Sequence, residues 1–358
     1  MVKTYFCPSC GAAMTFDAVS QRLACSHCGS NMTVEEAEKL AEHKETSAYE
    51  HDNGSGEAKS EEKKDSNEID CKVYHCPTCG AEILTDRYTT ATLCSFCGNP
   101  GLMEDRIEGI LKPAYVIPFS IDKNNAMDIF RNWSRTGRLT PTSFKSQSNI
   151  EKLTGMYVPY WMYDIRVNVD MNAHCTRTTS QTRGDYIYTY THNYSVNRSA
   201  TGTYQKVPAD ASEKLNDDMM DLLEPYDYSK MVDFNESYLL GYQAERYNLN
   251  SDQTAERAVR RVSAFAESDV RGSIVGYQTT NILSKNVRAD LLLTKYAMLP
   301  VWILNYRYYG KDYTTVINGE TGKLVGTLPI SRAKTLAAFG IFTFAIFAII
   351  SIIMMIFS

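Results

Sequence analysis

The chain has 358 residues, 44% of them hydrophobic, with 37 basic and 42 acidic side chains, which excludes a disordered or collagen-like polymer and leaves room for two or three domains. A formal net charge of −5 and an isoelectric point near 5.8 exclude a chain that would seek phosphate backbones as a whole, so nucleic-acid binding would need a local basic patch. Of the ten cysteines, eight fall into four C-x-x-C pairs, a pattern of metal chemistry rather than of disulfides.

The opening segment, Met1 to Pro8, lacks the apolar run of a secretory signal, so the large N-terminal part is expected in the cytosol. The first motif follows at once. Cys7-Pro-Ser-Cys10-Gly, 14 residues, and Cys25-Ser-His-Cys28-Gly recur 69 residues later as Cys76-Pro-Thr-Cys79-Gly, 14 residues, and Cys94-Ser-Phe-Cys97-Gly, an internal duplication. Each C-x-x-C puts two thiolates on one tight knuckle, and two facing knuckles complete a tetrahedral four-thiolate site with Zn–S bonds of about 2.3 Å. Gly11, Gly29, Gly80 and Gly98 follow the second cysteine of each pair, where a positive φ lets backbone N–H groups turn toward the sulfurs.

Two zinc ribbons are therefore predicted, residues 1–34 and 71–105, each holding one structural Zn2+ through Cys7, Cys10, Cys25 and Cys28 or through Cys76, Cys79, Cys94 and Cys97. An iron–sulfur cluster or a redox dithiol is the alternative. Four cysteines per site leave no open position for catalysis. His27 and His75 flank ligands and are alternative donors, although the complete cysteine sets favour a place outside the coordination shell. Cys71 and Cys175 read as unpaired reduced thiols.

Residues 35–70 hold 13 acidic and 5 basic side chains and almost nothing large and apolar, so they read as an acidic flexible linker that lets the ribbons move independently, with a short helix at its start. Neither ribbon carries a basic face, which argues against nucleic acid as a partner; the ribbon aromatics are needed to cover so small a core.

From 107 to 330 the pattern is that of an α+β domain with antiparallel sheets, with 19 of the 24 tyrosines between Tyr157 and Tyr313. Asp164 to Cys175 alternates, with Ile165, Val167, Val169, Met171, Ala173 and Cys175 on one face. Tyr186, Tyr188, Tyr190 and Tyr194 continue the period after a polar turn, predicting an antiparallel pair. Leu299 to Gly310 and Asp312 to Val316 predict another pair, and Asn318-Gly319 a turn into a closing strand. The likeness of Tyr157-Val-Pro-Tyr-Trp to Leu299-Pro-Val-Trp suggests two related β modules. Helices are expected over Asp122 to Arg135, with Ala126, Ile129, Phe130 and Trp133 inward, and over Ser251 to Glu267, with Ala255, Ala258, Val259, Val262 and Phe265 inward. The tyrosines suit strand packing, with a hydrophobic ligand groove as the alternative.

Leu336 to Phe357 is 22 residues without a charge, about 33 Å as a helix against a hydrocarbon core of about 30 Å, and predicts a transmembrane helix. Its 13 Leu, Ile and Phe residues favour insertion by roughly 4 to 8 kcal/mol. Arg332 and Lys334 before it and Ser358 alone after it predict a tail-anchored, single-pass protein of the cell membrane with cytoplasmic N-terminal domains.

Taken with the two ribbons, the segments Val158-Pro-Tyr-Trp-Met-Tyr, Leu223-Glu-Pro-Tyr-Asp, Tyr238-Leu-Leu-Gly-Tyr and Leu299-Pro-Val-Trp through Asn318-Gly-Glu-Thr-Gly resemble bacterial proteins of the YdjG type, which pair a double transcription factor IIB-like zinc ribbon with a C-terminal membrane helix. The resemblance covers most of the chain. It implies genes beside phage-shock-protein-A-like and SPFH or virion-core-like proteins, and hence such proteins as partners in envelope stress. The expectation is a cytosol-facing adaptor or scaffold that brings a partner protein to the bilayer, with a membrane-tethered nucleic-acid-binding or regulatory protein as the alternative. No enzyme is expected, since G-x-S-x-G, H-E-x-x-H and G-x-x-x-x-G-K motifs are absent and six histidines are scattered.

Overall fold

The computed structural model describes residues 5–40, 72–85, 94–96, 103–105 and 111–357. The chain divides into two compact units, the first formed by residues 1–158, 214–246 and 298–358 and the second by 159–213 and 247–297.

The first unit begins with a small antiparallel sheet of β1 (Thr15–Asp17), β2 (Arg22–Ala24) and β3 (Asn31–Met32). Its register stacks Phe16 beside Leu23 and Leu23 beside Met32, so one apolar side chain from each strand meets in a core completed by Tyr5, Met14, Val34 and Ala37. Helix α1 starts at 34 and is helical through residue 40. A capping box opens it: the Thr33 N–H donates to Glu36 Oε2 at 2.7 Å and the Glu36 N–H to Thr33 Oγ1 at 3.1 Å.

This ribbon is seated on the rest of its unit rather than swinging free. Leu240, 2% exposed, belongs to the ribbon's own core, and Tyr238 and Tyr242 pack against it. The Phe16 N–H donates to Leu240 O at 3.1 Å, and the Phe16 and Tyr238 rings meet edge to face at 5.1 Å. Gly241, at φ +87°, lets the chain pass Thr15 at a distance where a Cβ would be crowded. The expectation of an independently moving first ribbon is thus corrected: an apolar plug in a loop joins the ribbon to its unit. Residues 41–70, the rest of the expected linker, lie outside the described residues.

The second ribbon is joined to the fold through main-chain bonds. Strands β4 (Lys72–His75), β5 (Glu82–Thr85) and β6 (Met103–Asp105) pair antiparallel in the order β5-β4-β6. Further along the chain come β7 (Tyr115–Val116), β8 (Thr154–Arg183), β9 (Tyr186–Asp210), β10 (Val232–Asp233) and β11 (Gln243–Glu245). β5 pairs antiparallel with β11, which in turn runs parallel to the start of β8. The second ribbon is therefore the end of a larger sheet, not a separate knuckle.

That sheet continues through the end of β12 (Thr279–Tyr308), which forms a hairpin with β13 (Lys311–Asn318), and β14 (Leu324–Gly326) closes on β13 as the Asn-Gly turn predicts. Helix α2 (Lys123–Thr136) starts at Asp122, whose carboxylate accepts from the Asn125 N–H at 2.8 Å, and buries Ala126 and Phe130. Helices α3 (Gln147–Ile150) and α4 (Asp217–Leu223) complete the unit before the long C-terminal helix.

The second unit consists of the remaining lengths of β8, β9 and β12 with helix α5 (Ser251–Gly272). The predicted hairpin is present: β8 and β9 pair antiparallel from Tyr160↔Asp210 to Arg183↔Tyr186, and Ile165, Val167, Val169, Met171, Ala173 and Cys175 are all buried. Thr176 and Thr279 hydroxyls meet at 2.5 Å, and Asn172 Nδ2 reaches Ser284 Oγ at 3.3 Å, so β12 runs antiparallel along β8. A capping box of Asn250 and Gln253 starts α5.

Three expectations change here. α5 extends to Gly272, and its inward row is Thr254, Ala258, Val262, Ala266 and Val270, a ladder of i+4 steps, while Phe265 is 58% exposed. The first half of β12 gave no strand signal because it is exposed on both faces, so no apolar alternation marks it. The two similar Pro-Trp segments do not make two β modules; they lie on β8 and β12, neighbouring strands of one sheet.

Candidate metal centres

Each described knuckle closes with the same two main-chain bonds. The Cys7 N–H donates to Ala12 O at 2.8 Å and the Gly11 N–H to Cys7 O at 2.9 Å; Cys25 with Ser30 and Gly29 repeat the pair at 2.8 and 3.0 Å, and Cys76 with Ala81 and Gly80 at 2.9 and 2.8 Å. Gly11, Gly29 and Gly80 sit at φ 74°, 76° and 70°, the conformation that only glycine takes without strain.

These turns bring Cys7, Cys10, Cys25 and Cys28 together with every sulfur within 4.8 Å of the others. The Cys7 and Cys28 sulfurs are 3.4 Å apart and those of Cys10 and Cys25 are 3.5 Å apart. A tetrahedron of thiolates about 2.3 Å from a central ion has edges of roughly 3.8 Å, whereas a disulfide would bring two sulfurs to about 2.05 Å. The donor set thus fits a four-thiolate metal ion. Cys76, Cys79 and Cys94 repeat the arrangement, with Cys79 and Cys94 sulfurs 3.7 Å apart. Cys97 and Gly98 lie outside the described residues, as does Cys71.

The first site's electrostatics show what a cation would balance. Burial pushes the Cys7 thiol up, but the N–H groups of Ser9 and Cys10 and the neighbouring thiols of Cys28 and Cys10 outweigh it and bring it down to about 6. Cys28 is lowered by the Ser30 hydroxyl, 3.2 Å away, and by the Ser30 N–H. At Cys10 the Ala12 N–H lowers the value, yet the other sulfurs and burial push it up to about 12. Backbone donors favour thiolates here while crowding forbids four of them at once, and a divalent ion resolves that conflict.

His27 is exposed and His75 half-buried, and neither joins a cysteine cluster among the described residues. Cys175 is buried in the second unit, its thiol directed to Thr280 Oγ1 at 3.7 Å. Sequence reasoning missed the groups that fix the second knuckle: Lys214 Nζ donates to Cys79 O at 2.7 Å, Ser95 Oγ donates to Gln243 Oε1, and Asn305 Nδ2 donates to Ser95 O. All three partners lie more than a hundred residues away, so no local pattern signals them.

A second polar locus joins three segments that sequence reasoning had singled out separately. Asn318 Nδ2 donates to Leu223 O at 3.2 Å and Pro225 O at 3.3 Å, and Tyr226 OH donates to Pro300 O at 3.3 Å. Buried Glu320 accepts from Lys230 Nζ at 2.6 Å and from the Asp227 N–H at 3.1 Å. These bonds clamp the 223–230 loop.

Helix α6 (Arg332–Phe357) closes the described chain, and the most apolar stretch within Arg332–Met355 has a mean hydropathy of 2.6 with none of it buried. Among the described residues it is the one helix long and apolar enough to cross a membrane.

The chain is 39% identical over 339 residues to the uncharacterized protein YdjG of Bacillus subtilis (strain 168), covering 95% of this chain and 94% of that protein. No protein-family model matches it, and no solved structure matches it.

Proposed function

The chain belongs to the family of the Bacillus subtilis protein YdjG, and from that premise we propose that it is a single-pass, membrane-anchored adaptor that recruits a partner protein through its zinc ribbons and α+β fold. The observation that carries this reading is the saturated cysteine set: four sulfurs around one point leave no position for a substrate, so the metal, zinc by its all-thiolate tetrahedral donors, rigidifies a binding face. The exposed apolar helix α6 supplies the anchor, and Arg332 with Lys334 beside it favours cytoplasmic N-terminal domains. Confinement to the bilayer raises the effective concentration of ribbon and partner for one another.

The partners that the family resemblance implies are phage-shock-protein-A-like or SPFH-like proteins, in envelope stress. Crosslinking mass spectrometry of the full chain in its native membrane tests this. One of these proteins should be captured by the wild type and lost in a Cys25→Ser/Cys28→Ser variant that still fractionates with the membrane. Capture of neither, or equal capture by both forms, overturns the adaptor reading for them. Crosslinks to nucleic acid with steep salt dependence would favour the regulatory alternative. Protease added to spheroplasts tests orientation: ribbons digested from outside would reverse it.

A further inference from the structure

The segment that precedes α6 does not enter the bilayer alone. The Ser331 N–H donates to Leu139 O at 2.8 Å, and Lys334 Nζ donates to Thr140 O at 2.6 Å. The loop after α2 is thereby tied to the first turn of the apolar helix, and Lys145 Nζ, bonded to Gly137 O at 2.7 Å, holds the same loop from its other end. Residues 331 and 334 lie within about one helical turn of Leu336, where the uncharged run begins. Whatever is hydrogen-bonded to them therefore sits at headgroup depth, in a layer about 5 to 8 Å thick on each side of the hydrocarbon.

This loop and helix start are cationic throughout. Residues 132–150 and 321–358 contain no Asp or Glu, against Arg135, Arg138, Lys145, Lys323, Arg332 and Lys334. Arg135, Arg138 and Arg332 are exposed, whereas Lys145 and Lys334 are half-buried. Lys145 and Lys334 bond carbonyls of the same loop, and Lys145 is lowered from its ordinary range by burial and then by the Lys334 charge. Each has spent one of three N–H donors on a carbonyl. The Arg332 guanidinium lies 5.0 Å over the ring of Tyr309, which is 68% exposed, and Tyr309 meets Tyr308 at 4.6 Å. Tyrosine beside arginine at the start of an apolar helix is the composition that settles at a membrane interface.

We propose that Arg135, Arg138 and Arg332, backed by Lys145 and Lys334, form a binding site for the phosphate groups of anionic phospholipids where α6 enters the bilayer. The site rests on the reading of α6 as a membrane anchor. Charge complementarity selects the occupant: a phosphodiester supplies the anions that this cluster lacks, and the anchor delivers the cluster to them. A zwitterionic lipid carries its own ammonium group and gains less. Each cation is worth about fivefold in preference at an anionic surface.

The test uses the full chain reconstituted in equal mixtures of phosphatidylcholine and phosphatidylglycerol, with the lipids it retains counted by native mass spectrometry. Phosphatidylglycerol should be enriched, and Arg135→Gln with Arg138→Gln, both at exposed positions, should lower the enrichment by roughly 25-fold. Arg288→Gln, an exposed arginine of the second unit, should leave it unchanged. No enrichment, or an enrichment that the double variant keeps, overturns the site. Loss of the preference in inorganic phosphate at constant ionic strength overturns the lipid assignment in favour of free phosphate. A separate carbonate wash tests the premise: release of the wild-type chain overturns the anchor and the site together, while a retained chain without lipid preference overturns the site alone.

Discussion

Replacing Leu240 by alanine should unseat the first ribbon without emptying its metal centre. The side chain is 2% exposed and packed in the ribbon core, so its truncation costs about 2 to 5 kcal/mol. The main-chain bond from the Phe16 N–H to Leu240 O is not removed chemically, which makes that amide a reporter of the seat. A loss near 3 kcal/mol corresponds to a rise of roughly a hundredfold in the open population. Hydrogen exchange on the full chain in detergent should show Phe16 exchanging faster by about that factor. The Gly11 and Gly29 amides, bonded inside the metal knuckles, should keep their protection, and zinc content should be unchanged. Unchanged exchange at Phe16 would show that Leu240 does not hold the ribbon, and simultaneous loss of knuckle protection and metal would show that seat and knuckle are one cooperative element.

Cys28→Ser should lower bound zinc from about two per chain to about one by elemental analysis, since the second cluster uses none of the same ligands. Gly319→Ala should lower the melting temperature through overpacking of about 1 to 3 kcal/mol, because a Cβ there would stand 2.6 Å from Phe119 Cε1 and 2.8 Å from Pro300 Cβ. Glu320→Gln, which removes the charge bonded to Lys230, should cost about 1.5 to 3 kcal/mol in denaturant titration and loosen the 223–230 loop. The Asp227 carboxyl is held below its usual range by the Ser229 hydroxyl and N–H. Its contribution is therefore present above the unfolded value near 3.9 and lost as pH falls through the lower folded value, and Asp227→Asn should flatten that acid limb of the stability curve.

What the amino-acid order reveals depends on whether a feature is local. The three described cysteine knuckles with Gly11, Gly29 and Gly80, the Ile165 to Cys175 stripe and the turn at Asn318 are each set by residues within a few positions of one another, and these are found as read. The seat of the first ribbon depends on Leu240, in a short loop after the 3-10 helix Glu236–Leu239, where no periodicity distinguishes a plug from a spacer. Phe265 misled because helical spacing alone cannot say which of two adjacent stripes faces the sheet; the row of smaller residues 254, 258, 262, 266 and 270 permits the closer approach. The second ribbon's union with the larger sheet is a backbone pairing of β5 with β11, to which side-chain identity contributes little.

That pairing gives the second cysteine cluster a further consequence. Strands β5, β4 and β6 stand between β11 and solvent, and they are the strands that carry or flank the knuckles. A chain starved of metal would lose the cover from this end of its sheet, uncovering the unpaired N–H and C=O groups of β11 beside the buried start of β8. An ion held by the second ribbon would then guard against strand-to-strand self-association, and scarcity of metal would register as clumping.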